Sequence, residues 1–203
     1  MSSSLQNRFF LGIIGLISLF KPSFGIAGVF NLPHLAAPGE FAFGIQPEFL
    51  MTPAVSAGVE LRYVQGITDS ANFTGILGTG SGSRQFRVGG AGTFDFFPDT
   101  GNQPGIGVAF QALLIQVNSV QTFEATAIPY VHKTFSSSDY GNIEPFLALP
   151  VGLSLFQGTY QPLLTVAVGC IFLYNEHFRS VVELGLGLNQ ASTYLSGGLI
   201  YYH

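Results

Sequence analysis

The chain has 203 residues, of which 47% are hydrophobic and only 9% charged, with a formal net charge of −4. A soluble domain carries roughly 25% charged residues, so a water-facing surface would be hard to cover, and the acidic balance leaves no basic patch for nucleic-acid phosphates. The single cysteine, Cys170, excludes an internal disulfide framework and a cysteine-based metal cluster.

The N-terminus reads as an export segment. MSSSLQNR carries one Arg, the apolar run FFLGIIGLISLF (9–20) is too short to span a bilayer, and KPSFGIAG supplies small residues at Ser23, Gly25 and Ala27. This is the layout of a secretory signal peptide. We take 1–27 as that peptide and 28–203 as one domain. Mean hydropathy is +0.42, yet no later segment runs for the roughly 18 apolar residues that a spanning helix needs.

From there the apolar residues recur with period 2, the signature of β-strands. Segment 39–51 places Phe41, Phe43, Ile45 and Phe49 opposite Glu40, Ala42, Gly44, Gln46 and Glu48. Segment 54–66 sets Val55, Val59, Leu61 and Tyr63 against Ser56, Gly58, Glu60 and Arg62. A short segment, 71–78, precedes 84–97, where Phe86, Val88, Phe94 and Phe96 face away from Arg87, Gly89, Ala91, Thr93 and Asp95. Segments 105–117, 120–133, 142–156, 162–174, 178–189 and 192–202 continue the pattern. One face is large and apolar; the other is small with sparse charge. A soluble sandwich would line that second face with Lys, Glu and Ser. A membrane barrel shows lipid the large face and encloses the small one.

The predicted fold is therefore all-β, an antiparallel transmembrane β-barrel of about ten strands, with eight as the alternative. Counting 71–78 gives the even number expected of such barrels, with both chain ends on the periplasmic side. MTPA, GTGSGS, NSV, QGTYQ and NQAS then form the outer turns, and GITDS, PDTGNQP, SSSDYG and NEH the inner ones. Aromatics sort to strand ends as two girdles: Phe41, Tyr63, Phe96, Tyr130, Tyr174, Phe178 and Tyr201 inside, Phe49, Phe86, Phe123, Phe156 and Tyr194 outside. Pro47, Pro129, Pro145 and Pro150 work against the pattern, since each removes a ladder donor.

The chain resembles small bacterial outer-membrane β-barrel proteins. The last strand carries the most specific part of the likeness, with Leu195, Leu199 and Tyr201 alternating toward the terminus. It is similar to the signal read by the barrel-assembly machinery, although such strands usually end in Phe or Trp and this one ends in His203. The resemblance implies outer-membrane lipids and that machinery as partners. It implies no oligomeric state.

The candidate functional residues are the ionisable groups on the inward face. Glu60, Arg62, Arg87, Glu124, Glu144 and Glu183 are predicted to line the lumen, with Glu40, Glu48, Asp95, His132 and Arg179 on the same face. Arg179 and Glu183, two inward steps apart, read as a local ion pair. Enclosed charges must pair or stay hydrated. The expected role is thus structural, or a narrow passive pore whose carboxylate excess favours cations. The alternatives are a soluble secreted barrel for an apolar ligand and a lipid-modifying enzyme. Of the histidines, His34 lies near the N-terminus, and His132, His177 and His203 map to inner ends or turns, away from the outer rim. No catalytic residue, cofactor site or metal-ligand spacing is predicted.

Overall fold

The structure, a computed structural model, describes residues 35–52, 54–137, 141–189 and 191–203. The segment 1–27, expected to be an export signal, lies outside them, as does His34.

Alternation along the chain becomes a closed wall. In chain order the strands are β1 (Phe41–Thr52), β2 (Ser56–Thr68), β3 (Ala71–Gly80), β4 (Phe86–Phe97), β5 (Gly105–Val117), β6 (Val120–His132), β7 (Phe135–Ser137), β8 (Gly141–Ala148), β9 (Val151–Phe156), β10 (Thr159–Leu173), β11 (Phe178–Gly187) and β12 (Thr193–Tyr202). Neighbours pair antiparallel, and β1 closes on β12 from Ala42↔Tyr202 to Thr52↔Thr193. Both β8 and β9 lie between β6 and β10. They are two halves of one stave, so the barrel has ten. The short β7 extends β8 beyond the wall.

Two segments differ from expectation. The stretch 142–156 is not one unbroken strand. It breaks at Leu149 and Pro150, because proline has no N–H to give the ladder. The wall holds there through Leu149 N donating to Pro129 O (2.9 Å) and Thr165 N donating to Pro150 O (3.0 Å). The segment begun at 71 runs to Gly80, ten residues, which is long enough to cross a bilayer. Turn chemistry follows the backbone. Asn118 (φ 48°) and Ser119 (φ 66°) form one two-residue hairpin, and Gln157 (φ 47°) with Gly158 (φ 78°) another. Paired positive φ matches the twist of the flanking strands.

Large residues point out. Val55, Leu61, Val88, Phe94, Leu149 and Leu186 are exposed, Leu61 by 53%. A soluble barrel for an apolar ligand would bury these side chains, so that alternative is excluded. Exposed aromatics ring both ends: Phe43, Phe96, Tyr174 and Phe178 at the end where Phe41 and His203 meet, Phe49, Phe86, Phe123 and Tyr160 at the other. Tyr130 and Tyr194, expected in the girdles, are instead buried inside. They fall on the inward phase of β6 and β12, where each phenol finds a carboxylate.

The enclosed face divides into layers. Toward the end where Phe41 and His203 meet, Ala42, Val64, Ile128, Phe146, Ile171 and Ile200 pack as an apolar plug. Ala36, from the segment leading into β1, tucks into it. The other half of the interior holds a buried ion-pair network beside two smaller apolar clusters, Ile76 with Leu113 and Ile115, and Leu163 with Ala191.

Candidate functional site

The ion-pair network is built from side chains that alternation turns inward. Glu48 comes from β1, Glu60 and Arg62 from β2, and Arg87 from β4. Arg62 Nη2 donates to Glu60 Oε2 at 2.8 Å. Arg87 Nε lies 2.9 Å from Glu60 Oε1, and its Nη2 pairs with Glu48. Gly78 on β3 lets the guanidinium pass, because a Cβ there would meet Arg87 Nη2 at 2.9 Å.

Arg84 completes this network and was missed in the sequence. It lies in a 3-10 turn, Gly82–Arg84, that folds back over the mouth. Its Nε is 3.3 Å from Glu48 Oε1, and the side chain is 1% exposed. Ser81 N donates to Ala57 O (2.8 Å), and Ser56 and Ser83 share a hydroxyl bond of 3.3 Å. Strand phase alone places Arg84 at a rim. Only the turn's path, set by Gly82 at φ +56°, carries it inside.

The remaining residues have neighbours of their own. Glu124 is 2% exposed and faces Ser154 across the β6–β9 ladder. Glu183 accepts from Tyr194 Oη. Arg179 does not form the expected pair with Glu183; its Cζ lies 3.9 Å from the Tyr202 ring centroid. Glu40 is exposed at the rim, outside β1, where it accepts from Ala37 N at 3.0 Å.

Glu144 belongs to a second cluster at the opposite mouth. His132 Nδ1 is 2.7 Å from Glu144 Oε1, and its Nε2 is 3.6 Å from Asp95 Oδ2. Tyr130 Oη donates to Asp95. Asp95, His132 and Glu144, with Asp69, Asp99 and Lys133, line a pocket of about 410 Å³. Among the described residues no set of three or more His, Cys, Asp or Glu side chains is arranged to hold a metal ion. His177 Nδ1 donates to Tyr202 O (3.0 Å), and His203 stacks on Phe41.

Beside this pocket Lys133 clasps the β4–β5 turn. Its Nζ donates to Asp99 and to Gly101 O (2.6 Å) and Gln103 O (3.2 Å), while Thr134 N donates to Asp99 Oδ2 (2.6 Å). Partial burial raises the Asp99 pKa, but the Lys133 and Thr134 hydrogen bonds outweigh it and hold the carboxyl below its ordinary value. A depressed folded-state pKa gives stability that is present above the unfolded value of about 3.9 and lost as pH falls through the folded one. We expect Asp99, followed by carboxyl-carbon NMR in micelles, to titrate below about 3.9. A midpoint at or above that value would mean the clasp is open in solution.

Comparison with known proteins yields fold but no family. No family model and no curated protein matches the chain. Among solved structures, an outer membrane channel from Pseudomonas putida F1 is similar, with a TM-score of 0.53 and 11% identity over 88% of this chain and 100% of that one. A de novo designed transmembrane β-barrel aligns with a TM-score of 0.41 and 11% identity, over 84% of this chain and 100% of that one. Closed ten-stave topology, an apolar outer face and the first of these likenesses agree: the chain folds as a small transmembrane β-barrel of the outer-membrane type.

Proposed function

We propose that this protein is a bacterial outer-membrane barrel, exported by its N-terminal segment, that serves as a sealed structural element of the envelope. One observation carries the reading: the interior is filled at two levels. The apolar plug closes one half; the Glu48–Arg87–Glu60–Arg62 network with Arg84, each of these five residues 4% exposed or less, occupies the other together with buried Ile76, Leu113, Ile115 and Leu163. About eight strands give a barrel just wide enough for side chains to fill, and ten lie near that limit.

The narrow pore is the second reading. It draws support from the carboxylate excess inside and from the channel named above. An open path would need both layers to part. The reading includes no catalytic step, because a hydrolytic or transfer site needs a nucleophile, a base and an orienting group together.

Planar-bilayer recording tests it. Purified protein showing the heat-dependent gel mobility of a folded barrel is expected to give no channel events. Steady cation-selective events from the same sample would replace the sealed barrel with the pore. Recovery of the native protein outside the outer-membrane fraction would remove both.

A further inference from the structure

The enclosed charges do not balance. Apart from Arg179 and the cluster around His132, the buried acids among the described residues are Glu48, Glu60, Glu124 and Glu183, and the buried bases are Arg62, Arg84 and Arg87. Four carboxylates thus share three guanidiniums. Glu48 and Glu60 take the ion pairs of Arg62, Arg84 and Arg87, and Glu183 accepts from Tyr194 Oη. Glu124 is the acid left over. Arg84 and Arg87 act on it across the lumen, but their guanidiniums sit on the other carboxylates. Among the described residues neither Glu124 oxygen has a hydrogen-bond or ion-pair partner. A carboxylate taken out of water without compensation is costly.

The ladder sets two more incomplete groups beside it. Glu124 on β6 is in register with Ser154 on β9, and Ser154 with Gln161 on β10. Directly opposed side chains on one face of a sheet have Cβ atoms about 4.5–5.5 Å apart. Ser154 is fully buried and directed at Glu124, yet its Oγ closes no hydrogen bond of ordinary geometry, and the buried Gln161 Nε2 has no acceptor. Buried hydroxyls and amides are nearly always bonded. Here a carboxylate, a hydroxyl and an amide stand in one row and do not bond one another. What they lack is a shared partner. Ser154 and Gln161 are each three residues from the Gln157–Gly158 hairpin, so the row lies close beneath the outer mouth.

We propose that Glu124, Ser154 and Gln161 hold one alkali-metal cation, sodium or potassium, taken up through the outer mouth. The chemistry selects the class. The deficit is a single positive charge, which a monovalent ion cancels. A divalent ion would want a second carboxylate, and no set of three or more His, Cys, Asp or Glu side chains surrounds such a place among the described residues. Hard cations take oxygen ligands. Glu124 offers two, Ser154 a third, and Gln161 a fourth once its amide is turned end for end, an exchange that alters no shape. A water in the same position would bond to the hydroxyl and the amide but leave the charge uncancelled. In a sealed barrel the ion is resident and not in transit.

Urea unfolding of the full protein in nonionic detergent at neutral pH tests the site. N-methylglucamine chloride is replaced stepwise by sodium or potassium chloride at constant ionic strength, with choline chloride as the control. A ligand that binds only the folded state raises stability with its concentration. The urea midpoint is therefore expected to climb with sodium or potassium and to stay level with choline. Glu124→Gln keeps the side-chain shape, removes the charge and should abolish the climb. If that variant fails to show the folded gel mobility, Ser154→Ala should need about tenfold more cation for the same midpoint, the factor given by one good interaction. A level midpoint in the unaltered protein would overturn the site and leave Glu124 to take a proton. An undiminished climb in whichever variant folds would place the cation elsewhere and overturn it too. Conductance is not read, so failure here leaves the sealed-barrel reading standing.

Discussion

Arg87→Met is expected to destabilise the barrel by about 3–5 kcal/mol, the usual penalty for removing one partner of a buried ion pair. Arg87 touches both Glu48 and Glu60, and all three side chains are 0% exposed. Truncation leaves two enclosed carboxylates to share Arg62 and Arg84. A domain's whole stability is commonly about 5–15 kcal/mol, so the variant should lose a large share of it. Urea unfolding in detergent, followed by circular dichroism and by the heat-dependent gel shift, measures the loss. Combining Arg87→Met with Glu60→Gln removes one charge of each sign and should recover part of it. A loss below about 1 kcal/mol would place the network in water, as for exposed pairs. The sealed interior would then be wrong, and the pore reading would gain.

Leu61→Arg is the complementary experiment on the outer wall. Leu61 is 53% exposed and sits midway along β2. On a soluble protein an arginine at such a position changes little. At the midplane of a bilayer, arginine on the lipid face of a barrel costs about 2–4 kcal/mol, falling to about 0–1 near the interfaces. Phe97→Arg, at the strand end, should therefore be the milder change. Reversible unfolding of both variants in lipid vesicles gives the depth profile. Two equal and small penalties would deny that this face meets hydrocarbon.

Much of this fold was legible because a barrel wall is a local object. Side chains alternate across a strand whatever its neighbours do, so Leu61 could be read as outward and Glu60 as inward from their spacing alone. The parity argument that retained the segment at 71 worked for the same reason: short connections leave antiparallel neighbours as the only pairing. The inward phase of Glu124, Glu144 and Glu183 was legible too. Their partners were not. Alternation says which side of the wall a residue occupies and nothing about what lies across the enclosed space. Tyr194 and Tyr130 show the limit, since strand-end position suggested a girdle while phase put both phenols inside against carboxylates.

The sequence by itself determined the sidedness of each strand, the approximate strand count and the scarcity of outward charge. These depend on period 2, on short turns and on the exclusion of charge from hydrocarbon. Tertiary structure alone decided that Arg84 enters through its turn, that Arg179 stacks on Tyr202 instead of meeting Glu183, and that Glu124 is left without a hydrogen-bond donor. Each depends on how far a ten-stave wall curves and shears before it closes. That sum over all its strands appears in no single segment.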